Sequence, residues 1–236
     1  MSLLTIIQNA TDRIGLPRPS TVIGSGDNQV RILASLAQQE GITLARRHPW
    51  QVLRTEKVFT TIADITQAGA LPADFDRFVE GSMYDRTQSR PVVGPITPQR
   101  WQELRAARAL SVWTSFRING NALLMYPVPP AGNTVAFEYV SKNWCGGAAS
   151  TSPTQSAFMV DTDIAALDEE LLTLGLVWRF LKARGLDYSE AFRSYEEEVI
   201  NRMANDGGMV GLDLSPGVTG TGSFDPYISD GSWTRA

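Results

Sequence analysis

The stretch from Asp161 to Asp206 constrains the fold more than any other, because it reads as two amphipathic helices joined by a tight turn. Ile164, Leu167, Leu171, Leu174, Trp178 and Leu181 recur at alternating spacings of three and four, which places them on one side of a helix. Asp161, Asp163, Asp168, Glu169 and Glu170 crowd its first turns, where carboxylates complement the positive end of the helix dipole. Arg179, Lys182 and Arg184 gather at the other end, and Gly185 follows as a stop. Asp187 with Glu190 three residues on has the form of a capping box for a second helix. That helix carries Phe192, Tyr195, Val199 and Met203 on one face and reaches Gly207-Gly208. A connection of about three residues obliges the pair to lie antiparallel. Leu167, Leu171, Leu174, Trp178, Leu181, Phe192 and Tyr195 are the expected core of this hairpin.

The N-terminal residues supply two more helices. Leu3, Ile6, Ile7, Ala10 and Ile14 form one face, ended by Gly15-Leu16-Pro17. A turn-rich loop follows, with Asp27 or Ser25 as N-cap for a helix from Gln29 to about Arg47. It turns Val30, Leu33, Leu36, Ala37 and Leu44 inward, with Gly41 a weak point, and Pro49 closes it ahead of Trp50. The four helices have faces suited to one bundle drawn from both ends of the chain.

Between them the period falls from 3.6 to 2. Val52 to Phe59 alternates as an edge strand, Leu71-Pro72-Ala73-Asp74-Phe75 is a turn, and Phe78 to Tyr84 reads as a second strand. Thr97-Pro98 opens a short helix with Trp101 and Leu104 on its buried side. Trp113–Ile118 and Ala122–Tyr126 flank Asn119-Gly120-Asn121 as a hairpin, and Thr134–Val140 alternates Val135, Phe137 and Tyr139 inward. The expected class is α+β. Residues 1–50 and 146–206 make the helical bundle, 51–145 an inserted small antiparallel sheet or sandwich, and 207–236 an extended C-terminal arm.

Little in the sequence points to chemistry. With one cysteine, Cys145, and one histidine, His48, neither a disulfide nor the usual imidazole or thiolate metal cluster is expected. The five carboxylates from Asp161 to Glu170 lack the spacing of a calcium loop and read as helix N-terminal charge. His48, between Arg47 and Pro49, reads as a helix C-terminal cation with no nucleophile motif beside it. Gly24-Ser25-Gly26 lacks the lysine of a phosphate loop and reads as a turn. Cys145 beside Gly146-Gly147 reads as a passive residue, and Trp101, Trp113 and Trp144 as core or contact residues instead of a sugar-stacking platform. No catalytic residue, cofactor or metal is expected. A net charge of −4 argues against an open duplex-binding surface. The 21 cations comprise 18 Arg and 3 Lys, a bias that fits either interface ion pairs or genomic base composition. Neither a signal peptide nor an apolar run near membrane-spanning length appears, so synthesis in a cytosol without a leader is expected.

The last thirty residues hold seven glycines, two prolines and no helical period, yet keep Met209, Val210, Leu212, Leu214, Val218, Phe224, Tyr227, Ile228 and Trp233. A solvent tail has no use for such anchors. Leu212, Leu214, Phe224, Tyr227, Ile228 and Trp233 are the candidates for gripping a neighbouring chain, with folding back on the same domain as the alternative.

The order of these features resembles the head-to-tail adaptor proteins of tailed bacteriophages, the connector or tail-tubular group. The resemblance spans residues 2–206. It runs from the N-terminal helix–loop–helix through the Leu71-Pro72-x-Asp74-Phe75 turn, Phe116–Tyr126 with Pro127-x-Pro129-Pro130-x-Gly132, Phe137-Glu138-Tyr139 and Asn143-Trp144. It ends with Trp178-Arg179-Phe180 and the Gly185-x-Asp187-Tyr188 turn. It implies a virion protein of the head–tail junction: a homo-oligomeric ring, commonly of twelve copies, beneath the portal protein. The helical bundle would form the ring wall and the β part would project outward or toward the tail. The C-terminal extension would reach into the portal. A downstream tail nozzle, tube or fibre protein would attach to this platform, and genomic DNA would pass through the lumen without sequence-specific binding. Twelve copies at −4 each carry roughly 48 negative charges, which repel phosphate. The alternative is a carbohydrate- or protein-binding module of a phage tail that uses a β-sheet Trp/Tyr surface.

Overall fold

A computed structural model describes residues 2–107, 113–148, 150 and 152–207. Helix α1 (Leu3–Ile14) starts where the Ser2 hydroxyl accepts from Thr5 N (3.3 Å) and stops where Gly15 takes the left-handed φ of +78°. Asp27, not Ser25, caps α2 (Asn28–Arg47) through Gln29 N (2.8 Å). A short 3-10 turn at Gln51–Leu53 precedes β1 (Arg54–Thr60), β2 (Thr66–Gln67), β3 (Phe75–Phe78), β4 (Tyr84–Asp85) and β5 (Arg90–Pro91). Then come α3 (Pro98–Ala107), β6 (Ser115–Asn119), β7 (Ala122–Tyr126), β8 (Thr134–Ser141), β9 (Cys145–Gly146) and β10 (Ile164–Ala165). Helices α4 (Glu169–Ala183) and α5 (Ser189–Asp206) complete the described chain. The architecture is thus mixed α+β, five helices with small antiparallel sheets among the described residues.

Two apolar clusters meet at β8. The larger gathers Leu3, Ile6 and Ile7 of α1, Leu33 and Leu44 of α2, Leu171, Leu172 and Leu176 of α4, and Tyr195 and Val199 of α5. The smaller gathers Met83, Phe116, Leu123, Met125, Val135, Phe137 and Tyr139. It is supplied by both the five-stranded sheet (β1-β8-β4-β5, with β3 also on β8) and the three-stranded sheet β2-β7-β6. Strand β8 serves both clusters, since Val140 belongs to the first while Val135, Phe137 and Tyr139 belong to the second. Seven of its eight residues are at least half-buried, so the simple alternation expected for Thr134–Val140 is blurred by cover on both faces.

Helix α4 lies at the centre of the helical part, touching α1, α2 and α5. Its buried arc is therefore wider than one stripe: Leu171, Leu172, Gly175, Leu176, Trp178 and Phe180 are all covered, while Leu174 and Leu181 flank the arc half-buried. Arg202 near the end of α5 pairs with Asp168 at the head of α4 (3.2 Å), as the antiparallel arrangement of the two helices requires. Their connection has five residues, 184–188, and not three.

The structure departs at several points from what the sequence suggests. The helix begins at Glu169, capped by Asp168, and not at Asp161. Ile164 lies in β10 opposite Gly146 and is 36% exposed, its spacing to Leu167 being coincidental. Asp161 accepts from Val22 N (3.0 Å) and Ile23 N (2.7 Å), pinning the loop between α1 and α2. Asp163 is wholly buried and accepts from Met159 N (2.6 Å) and Val160 N (2.9 Å). These two carboxylates satisfy loop amides instead of a helix dipole. The capping box at Asp187 does not close: Asp187 accepts from Ser189 N (3.0 Å) and Ser189 Oγ (2.6 Å), while Glu190 turns to Arg193 (2.9 Å). Phe192 is 38% exposed at the rim of the core. Phe78–Tyr84 is not one strand; a turn at 79–83 separates β3 from β4. In the β6–β7 hairpin Asn119 faces Ala122, so the two-residue loop is Gly120-Asn121 with Gly120 at φ +60°. Gly41 is a contact point, because a Cβ there would lie 2.1 Å from the Trp144 ring.

Candidate functional site

The most concentrated chemistry among the described residues lies where α2, α4 and α5 meet. Glu40 falls on the inward face of α2, in line with Leu33, Ala37 and Leu44, and is wholly buried. Its carboxylate accepts from Tyr195 Oη (2.5 Å) and from Arg179 Nε, and Arg179 also donates to Thr43 Oγ1 (3.2 Å). The Arg179 guanidinium lies 4.7 Å from the centre of the Trp178 ring. Gly175 leaves room for this carboxylate, since a Cβ there would come 2.4 Å from Glu40 Cδ. Burial first, then the Glu40 charge, push the Tyr195 hydroxyl well above its ordinary range, so it stays a donor. Next to it Arg47 holds Glu196 in a two-pronged pair (2.7 Å on one arm), which raises Arg47 and lowers Glu196. Glu40, Arg179 and Tyr195 between them join α2, α4 and α5. The sequence reading missed Glu40, although a carboxylate three and four residues from inward apolar positions was a usable signal.

The residues weighed for chemistry are dispersed. His48 sits edge-on to Trp50 (5.0 Å), places Nε2 3.4 Å from Asp206 Oδ2, and accepts at its carbonyl from Arg77 (2.8 Å). Cys145 is buried, donates to Gln155 O (3.3 Å) and has its thiol pushed up to about 12, chiefly by burial with Asp163 adding to it. Such a thiol is no nucleophile at neutral pH. Ser25 accepts from Asp27 N (3.2 Å) in the turn before α2. Trp101 and Trp144 are 2% and 1% exposed, while Trp113 is 49% exposed, so the three do not share an open face. Among the described residues no group of three or more His, Cys, Asp or Glu is placed to hold a metal ion. Nor is any described helix long and apolar enough to cross a membrane.

Surfaces are more informative. An open groove of about 740 Å³ runs beside the head of α4 and the end of α5, lined in part by Asn9, Leu44, Trp50, Leu171, Arg202 and Asp206. Leu186 (55%) in the α4–α5 turn, Phe192 (38%) at the start of α5 and Ile200 (59%) in the second half of α5 are exposed. Of the expected bundle residues, Leu167, Leu171, Trp178 and Tyr195 are buried, Leu174 and Leu181 half-buried, and Phe192 meets Trp178 ring to ring at 5.1 Å. The arm residues Leu212, Leu214, Phe224, Tyr227, Ile228 and Trp233 lie outside the described residues.

Buried polar groups thus join helices at Glu40, Arg179 and Tyr195, while large apolar side chains stay exposed at Leu186 and Ile200. The chain belongs to the SU10 adaptor protein family of bacteriophages: the model of that family matches residues 1–211. The match takes in every described helix and strand and stops just before Leu212. No curated protein matches the chain.

Proposed function

We propose that this phage adaptor works as a head-to-tail adaptor, closing into a ring beneath the portal protein, extending the DNA channel and carrying the next tail component. The ring has twelve copies in the form that the resemblance implies, and its work is done by interfaces without turnover. The observation that carries this reading is the family match across residues 1–211. Leu186 and Ile200, exposed along the α4–α5 hairpin, leave apolar surface available to a contact between copies. In this reading Leu212, Leu214, Phe224, Tyr227, Ile228 and Trp233 grip the portal or a neighbouring subunit.

The test is imaging and mass measurement of the purified chain, alone and with portal. Annular particles with a central hole are expected, and deletion of residues 208–236 should abolish portal capture while leaving the melting of the subunit unchanged. A chain that stays monomeric in both conditions would refute the reading. The carbohydrate-binding alternative loses its three-tryptophan platform, because Trp101 and Trp144 are inside the protein and Trp113 alone of the three is exposed.

A further inference from the structure

The charges of this chain are sorted by region. Residues 86–137 carry six arginines against one carboxylate, Glu103, a net of +5 in a protein whose total is −4. Residues 169–206, the α4–α5 hairpin, carry eight carboxylates against five cations, a net of −3. In the first region Arg86 is held by Glu56 and Arg100 by Glu103 (3.1 Å), whereas Arg90, Arg105 and Arg117 join no ion pair among the described residues. The elements that carry them adjoin. Val93 N donates to Thr114 O, Phe116 N to Val93 O and Ile96 N to Phe116 O, so the segment after β5 runs along β6. Helix α3 is tied to the same sheet by Trp101, whose ring lies 6.3 Å from that of Tyr126. Beside these arginines Val93 and Trp113 are about half exposed (48% and 49%).

The acidic region presents a matching ridge. Glu190, Arg193, Glu197 and Ile200 recur along α5 at helical spacing, and the side chains of Glu190 and Glu197 are 77% and 69% exposed. Arg193 bridges the two glutamates (2.9 and 3.9 Å) but leaves the ridge net negative. Ile200 and Leu186 are among the most exposed large apolar residues described.

We propose that these surfaces are the two halves of one contact: the arginine face of the insert, built on β5, α3 and β6, receives the acidic α4–α5 hairpin of a second copy. The proposal rests on the ring reading above. Because the two patches differ, the contact is head-to-tail, the kind that generates a ring when its rotation closes. Each patch pairs a net charge, positive on one and negative on the other, with exposed apolar side chains, which supplies both steering and desolvated contact. Nucleic acid is the other polyanion that an arginine face could take. The second copy is favoured because its hairpin offers apolar partners for Val93 and Trp113 as well as opposite charge.

The experiment uses the full chain under conditions where the wild type assembles, alone or on the portal. One variant carries Arg90→Glu with Arg105→Glu, the other Glu190→Arg with Glu197→Arg, and each is checked for an unchanged melt. Each alone should need about tenfold or more protein to assemble. An equimolar mixture should recover assembly, because every contact is then between opposite charges. Assembly of the wild type should weaken as salt rises. If each variant assembles at wild-type concentrations, or the mixture fails to recover, the contact lies elsewhere and the ring reading stands. If the wild type itself yields no assembly, both readings fall. Variants that assemble normally but no longer retain a short DNA duplex would make the arginine face a nucleic-acid contact and overturn the proposal.

Discussion

Val140 of β8 belongs to the helical core while Val135, Phe137 and Tyr139 belong to the core of the insert, so one strand borders two interiors stabilised by different means. The helical interior encloses a charged cluster, Glu40 with Arg179 and Tyr195, and two glycines that make room for large neighbours. The interior of the insert encloses no ion pair among the described residues, and its buried polar groups, such as Gln67, Asp85, Asn133 and Ser141, are neutral partners or a single carboxylate tied to loops and strand ends. Asp74 accepts from Tyr139 Oη (3.1 Å) and Ser141 Oγ (2.7 Å), Asp85 accepts from Asn133 Nδ2 (2.8 Å), and Gln67 donates to Ile62 O (3.0 Å) and Asp64 O (2.6 Å). Helices satisfy their own backbones and are free to slide along one another, so directional side-chain bonds fix how they sit. Strands are already registered by their ladders, and the insert needs polar groups only to fasten its loops.

Substitutions should separate the two interiors. The largest effect is expected for Arg179→Ala, which leaves the wholly buried Glu40 with Tyr195 as its remaining hydrogen-bond donor. The loss should be about 3–5 kcal/mol in chemical denaturation; a loss below about 1 kcal/mol would mean that Glu40 tolerates solitude. Gly41→Ala comes next. Its methyl would press on Trp144 and should cost about 1–3 kcal/mol with a shift in tryptophan emission. Gly26→Ala, with open space around it, serves as the unaffected control. The smallest effect belongs to the insert. Burial first and Asp74 second raise the Tyr139 hydroxyl from 10.0 to about 12. The folded chain therefore keeps a proton that the unfolded chain loses, and this stability is complete below about pH 10 and lost as pH climbs toward 12. Asp74→Asn should bring tyrosinate absorbance in at lower pH and narrow that window, at a neutral-pH cost of about 1 kcal/mol. An unmoved titration would remove Asp74 from the account.

The helices were legible because caps and periodicity are local: Asp27, Gly15 and the stripe Leu33–Ala37–Leu44 sit where the sequence puts them. So was the β6–β7 hairpin, within one residue of its loop. Asp161 and Asp163 were misread because carboxylates ahead of a helix look alike whether they serve its dipole or a distant loop. Only the tertiary fold brings Val22 and Ile23 to Asp161. Glu40 went unnoticed because its partner Arg179 is 139 residues away and a lone charge in an apolar stripe resembles an interruption. The turn between β3 and β4 was signalled by Glu80-Gly81-Ser82, with Gly81 at φ +71°, but Phe78-Val79 and Met83-Tyr84 on either side outweighed it. Surface roles are harder still, since exposure and neighbouring charge exist only once the chain is folded.

One detail at the start of the chain sets an order of events. Leu3 N and Leu4 N donate to the carbonyls of Asp163 and Asp161, Ser2 bridges to Ile164, and the α1–α2 loop depends on the Asp161 side chain. On a ribosome these bonds have no acceptors until the 160s have been translated, and α1 and α2 then still await α4. The strands paired within residues 54–141 face no such delay. Helices α1 and α2 must therefore wait with much of their apolar surface uncovered while the middle of the molecule is made, and their part of the core closes only when α4 arrives.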